Sequence, residues 1–187
     1  MMIKLKISLL LIIVMSFVMS SCEKEDPEIP NEEELITTFN YYLTAANGNS
    51  TIVLSFKDLD GDGGNEAEII GGVLEANMIY SGRIELLNEA ETPNEDITSE
   101  VDEEGTVHQF FFQTTIPDLS IKYSDVDNEG NPIGITSELS TGTTANGTLT
   151  ILLRHEPNKT ASGVANGDIG NAGGETDIQV TFPIDVQ

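Results

Sequence analysis

The chain has 187 residues, with 8 basic and 32 acidic side chains, a formal net charge of −24, one cysteine and no tryptophan. That charge repels phosphate, which excludes DNA and RNA as partners. A lone cysteine excludes an intrachain disulfide, so the fold must rest on its core, and without Trp there is no indole platform for stacking sugars.

The chain opens with Lys4 and Lys6, then Leu9–Met19, apolar apart from Ser16, then Met19-Ser20-Ser21-Cys22. A basic start, a short apolar run and small residues before a cut site make a secretory signal peptide. The run is too short for a membrane span, which needs roughly 20 residues. The pattern resembles the bacterial lipoprotein signal, which is cut before a cysteine whose thiol then carries lipid. The resemblance implies a signal peptide over residues 1–21, lipidation of Cys22 and attachment to a membrane through that anchor. Cutting there leaves 166 of the 187 residues and removes Lys4 and Lys6 but no acid, so the charge moves from −24 to −26. Residues 22–34, CEKEDPEIPNEEE, are acidic, poor in apolar side chains and twice broken by Pro, which predicts a flexible tether. Within it, Lys24-Glu25-Asp26 resembles the export signal that sends some Bacteroidota lipoproteins to the outer face of the outer membrane. That implies an outer-membrane location at the cell surface, with the periplasmic face as the alternative.

From residue 35 to 187 the sequence predicts one domain. Apolar residues recur with period two: Leu35, Phe39, Tyr41, Leu43; Ile52, Leu54, Phe56; Met78, Tyr80, Ile84, Leu86; Phe110, Phe112; Leu119, Ile121, Tyr123; Ile133, Ile135, Leu139; Leu149, Ile151, Leu153; and Ile178 through Val186. Alternation of this kind sends one set of side chains to a core and the other to water. Turn signals separate the runs at Asn47-Gly48, Asp62-Gly63-Gly64, 128–132, Asn146-Gly147 and Asn166-Gly167. The expected fold is all-β: an antiparallel β-sandwich, immunoglobulin-like or similar, with little helix. Residues 86–104 have room for a helical turn. Residues 157–174 read as a long surface loop, and the unbroken final row predicts a central strand.

Three constellations bear on chemistry. Asp58, Asp60 and Asp62, followed by Gly63 and Glu66, have the spacing of a calcium loop, in which a sharp turn wraps carboxylates round one ion. The pattern departs from the full loop where Ile69 takes the place of a bidentate Glu; the rival reading is a hairpin turn. His108 and His155 each fall at the end of an inward row, and if those ends meet, the pair with Glu156 has the donors for a transition metal. The rival reading is a histidine bonded to a loop carbonyl. Finally, Glu95-Asp96 and the acids from Glu100 to Glu104 supply carboxylates of the kind glycoside hydrolysis uses, though a charge run is ordinarily a solvated face.

The stretches Leu54–Gly64 (LSFKDLDGDGG), Leu152–Lys159 (LLRHEPNK) and Gly173–Phe182 (GGETDIQVTF) resemble small Bacteroidota cell-envelope lipoproteins labelled "type 1 periplasmic binding fold superfamily". Those proteins tend to accompany TonB-dependent receptors. The label implies a two-lobed α/β fold, whereas the alternation implies a single β domain. The functional expectation is therefore a non-catalytic outer-membrane or surface lipoprotein, a binding accessory of a TonB-dependent transport system and its outer-membrane receptor. The alternatives are a cation-binding lipoprotein, with calcium as the candidate cofactor, and a glycan hydrolase.

Overall fold

The computed structural model describes residues 35–187 apart from 49, 62 and 63. Cys22, Lys24, Glu25, Asp26 and Asp62 lie outside the described residues. The strands are β1 (Thr38–Ala45), β2 (Thr51–Lys57), β3 (Glu68–Ile70), β4 (Gly72–Leu74), β5 (Ile79–Asn88), β6 (Glu95–Asp96), β7 (His108–Thr114), β8 (Ser120–Tyr123), β9 (Thr136–Ser140), β10 (Ala145–His155) and β11 (Glu175–Val186), of which the short β3, β4 and β6 fall outside the alternating runs. A short helix, α1 (Ile97–Glu103), follows β6. One sheet runs β3-β2-β1-β5-β9-β8, with β6 also paired to β5; the other runs β4-β11-β10-β7. The fold is an all-β sandwich, and β11 is an inner strand, as its unbroken row predicts.

The inward rows meet between the sheets. Phe39, Tyr41 and Leu43 of β1 are fully buried, as are Phe110 of β7 and Leu149, Ile151 and Leu153 of β10. Phe39 meets Phe110 of the opposite sheet edge-on at 6.2 Å and Phe182 at 5.9 Å. Burying each large apolar side chain contributes about 1.5–3 kcal/mol, and edge-on ring pairs add about 0.5–1.5 kcal/mol. Helix α1 starts at Asp96, whose carboxylate accepts from the Thr98 N–H at 3.1 Å and from the Ser99 hydroxyl at 2.8 Å. It turns Ile97 and Val101 into the same core.

Four details depart from the sequence reading. The β4–β11 pairing is parallel, because residues 68–74 leave one sheet and join the other. The crossover needs Gly71, where a Cβ would overlap the Pro183 carbonyl. Asn146-Gly147 lies inside β10 rather than in a turn; Gly147 is there for close approach, since a Cβ would stand 2.6 Å from the Thr115 hydroxyl. Leu35 precedes β1 and is exposed. Ile133 and Ile135 keep their inward parity but precede β9, because the Asp125 carboxylate takes the N–H groups of Gly134 and Thr136, each at 2.7 Å.

The loop 157–174 does more than cross the surface. It carries two single 3-10 turns, Val164–Asn166 and Ile169–Asn171, and lays Val164 and Ala172 over Phe111 and Leu152 on the outer face of the β7–β10 sheet. All four are buried, so Phe111 and Leu152, which point away from the main core, gain a second one.

Candidate functional site

The two histidines meet. They sit opposite each other in the β7–β10 register, His155 against His108, with rings stacked at 4.7 Å and 25° between planes. His108 is buried; its Nδ1 is 3.3 Å from the Glu104 carbonyl oxygen and its Nε2 is 3.9 Å from Asp177 Oδ2. A carbonyl only accepts, so Nδ1 donates. Asp177 reaches the ring through a bulge: Leu153 pairs with Ile178 but Arg154 pairs with Thr176, leaving Asp177 as the extra residue. Bulges re-aim side chains in this way. Burial, then the charge of His155, pushes the His108 pKa down and favours the neutral ring.

One His108 nitrogen is thus committed to a backbone carbonyl, which leaves the ring at most one lone pair for a ligand. Glu156 is exposed, with φ of 50°, and its N–H closes onto the Val107 carbonyl at 2.7 Å. Among the described residues, no group of three or more His, Cys, Asp or Glu is placed to hold a metal ion.

A buried cation at the same end of the sandwich was not legible in the sequence. Lys159 is buried, and its Nζ donates to Asp127 Oδ2 at 2.9 Å, to the Pro132 carbonyl at 2.9 Å and to the Gly105 carbonyl. Asp127 Oδ1 accepts the N–H groups of Glu129 and Asn131, both at 2.9 Å. Burial alone would raise the Asp127 pKa; the ammonium and the two N–H groups outweigh it and hold the carboxyl below its usual range. Burial lowers the Lys159 pKa, and Asp127 works against that shift. Every donor of the ammonium is used, which is the condition for burying a charge. The spacing around Lys159 carries no sign of this role; it is a lysine in a loop.

Asp58 and Asp60 serve the turn. Asp58 Oδ1 accepts the Gly61 N–H at 2.9 Å, and Gly61 has φ of 65°. Asp60 Oδ2 accepts the Asn65 backbone N–H at 3.1 Å and its side-chain amide at 2.6 Å, and those bonds lower the Asp60 pKa. Glu66 is exposed.

Two of the later acids, Asp96 and Asp102, border a groove of about 360 Å³ between β5, α1 and Asp125. Three of its four carboxylates have work in the fold: Asp96 caps α1, Asp125 holds the approach to β9, and Glu85 Oε2 takes the Tyr42 hydroxyl at 2.7 Å and the Asn40 amide at 3.1 Å; Asp102 is the fourth. Glu100 has its pKa raised, by burial first and then by Glu95, Glu104 and Glu103, but it is not part of the groove's lining. No protein-family model, curated protein or solved structure matches the chain.

Proposed function

We propose that this chain is an exported, lipid-anchored outer-membrane or surface protein whose β-sandwich binds a partner and performs no catalysis. On this reading the domain is an accessory to a TonB-dependent transport system, docking on the receptor or presenting a ligand to it. The observation that carries the reading is Cys22, the chain's one cysteine, set behind a short apolar leader and ahead of an acidic tether. The commitment of three of the four groove carboxylates, Glu85, Asp96 and Asp125, to backbone and side-chain donors is in keeping with binding rather than hydrolysis. Metabolic labelling with an alkyne fatty acid tests the anchor. The native chain is expected to take label and Cys22→Ala to lose both label and membrane retention. A labelled Cys22→Ala chain, or an unlabelled native one, overturns the reading. Protease added to intact cells then reports the face, and replacing Lys24, Glu25 and Asp26 by Ala is expected to abolish digestion by moving the domain to the periplasmic side.

A further inference from the structure

Exposed apolar side chains concentrate along one margin of the sandwich. Val53, Leu59, Ile69, Ile70 and Val73 all lie on β2, β3, β4 or the turn between β2 and β3, and Ile69, Ile70 and Val73 are 46%, 51% and 56% exposed. β3 is the terminal strand of one sheet and β4 the terminal strand of the other, so residues 68–74 form the free edge of both. The register sets Ile70 opposite Ser55 on the outer face, the face that Val53 shares at the diagonal position. Natural sandwiches guard such an edge with Lys or Pro. The segment EIIGGVL has neither, and Gly71 and Gly72 leave no room for the added side chains that would cover it.

What surrounds the edge is acidic. Glu68 of β3 itself and Glu66 just before it are exposed, Asp58 and Asp60 lie in the same hairpin, and the adjacent Lys57 is paired with Glu89 at 2.7 Å. A second copy of the chain would bring the same acids and another −24 charges to the same place, and like charges opposed across a ladder repel. The tether 22–34 is acidic as well and is disfavoured for the same reason.

We infer that residues 68–74 are a docking edge for a basic, extended segment of a partner protein, which adds to β3 as a further strand. Its backbone completes the ladder, its apolar side chains cover Ile70 and Val53, and its cations face Glu66 and Glu68. The inference deepens the binding-module reading and rests on it for the existence of a partner.

The test uses the full chain in detergent and a short blocked peptide of alternating lysine and valine. Hydrogen exchange is followed at Glu68, Ile69 and Ile70. The peptide is expected to slow exchange there by about tenfold or more. The same peptide N-methylated at alternate amides keeps its charge but cannot build a ladder, and is expected to protect nothing, as is a glutamate–valine peptide. Ile70→Lys should abolish the protection, while Val126→Lys, at an exposed apolar site outside this margin, should leave it intact. Equal protection by the N-methylated peptide would reduce the effect to bulk charge and overturn the inference. So would absence of protection, or a dimer of the native chain that Ile70→Lys dissolves. Protection in a chain that takes no lipid at Cys22 would uphold the edge and defeat the anchor, so the two failures are distinguishable.

Discussion

Lys159→Met removes the ammonium from its cage and keeps most of the side chain's volume. Three acceptors then lose their donor: Asp127 Oδ2 and the carbonyls of Gly105 and Pro132. Both partners of the ion pair are nearly inaccessible, at 4% and 1% side-chain exposure, so water cannot replace the lost bonds without opening the site. Breaking a buried pair from one side costs about 3–5 kcal/mol. The Asp127 carboxylate keeps two N–H donors, from Glu129 and Asn131, which places the expected cost near the lower bound, about 3 kcal/mol. For a domain of this size that lowers the melting temperature by about 6–12 °C. Urea denaturation followed by circular dichroism measures the change, with an unaltered slope confirming that the folded state keeps its compactness. The cycle with Asp127→Asn isolates the pair and is expected to return a coupling of about 1–3 kcal/mol. A loss below about 1 kcal/mol with no coupling would put the pair among solvated surface bridges and refute the reasoning.

Other consequences can be checked alongside. The depressed His108 pKa means that the unfolded chain takes up a proton before the folded one does, so the stability this ring contributes is present above pH about 6.5 and is lost as pH falls from there through the folded value. Denaturation at pH 7.5 and 5.5 should show that loss in the native chain and a smaller one in His108→Asn; equal losses would show that the ring is not its source. Gly71→Ala drives a Cβ against the Pro183 carbonyl and should cost about 1–3 kcal/mol by prising β4 from β11, visible as faster exchange at residues 184–186; an unchanged melting temperature would mean that the crossover is slack. Because Asp60 serves Asn65, Asp60→Ala should lower the melting temperature equally in calcium and in chelator, and a loss confined to calcium would favour the ion-binding reading. Val164→Asp places a charge in the second core and should expose the loop 157–174 to protease while the main core persists; resistance to cleavage would show that the loop is held by something other than Val164.

The inward rows were legible because burial imposes a period of two on a strand, and Phe39, Tyr41, Phe110, Ile151 and Phe182 all obey it. The same parity placed His108 and His155 on the core side, and only their meeting had to await the register. What escaped depended on contacts distant in sequence. Lys159 reads as a solvated lysine until the 127–132 turn and Gly105 close round it. Gly147 reads as a turn because Asn-Gly ordinarily is one; its smallness answers to Thr115 and Ile116, some thirty positions away. Asp177 breaks the parity of β11 through a bulge that no local pattern announces. The calcium-like spacing at Asp58 and Asp60 marks a real turn, since the geometry that wraps an ion also wraps backbone N–H groups.

The place of β1 has a mechanical consequence. A pull arriving from the N-terminal side enters the domain at β1, an inner strand with seven residue pairs to β2 and eight to β5. Tension along that axis must shear both ladders together instead of peeling them rung by rung. Endurance under load is then governed by the speed of forced rupture, not by equilibrium stability.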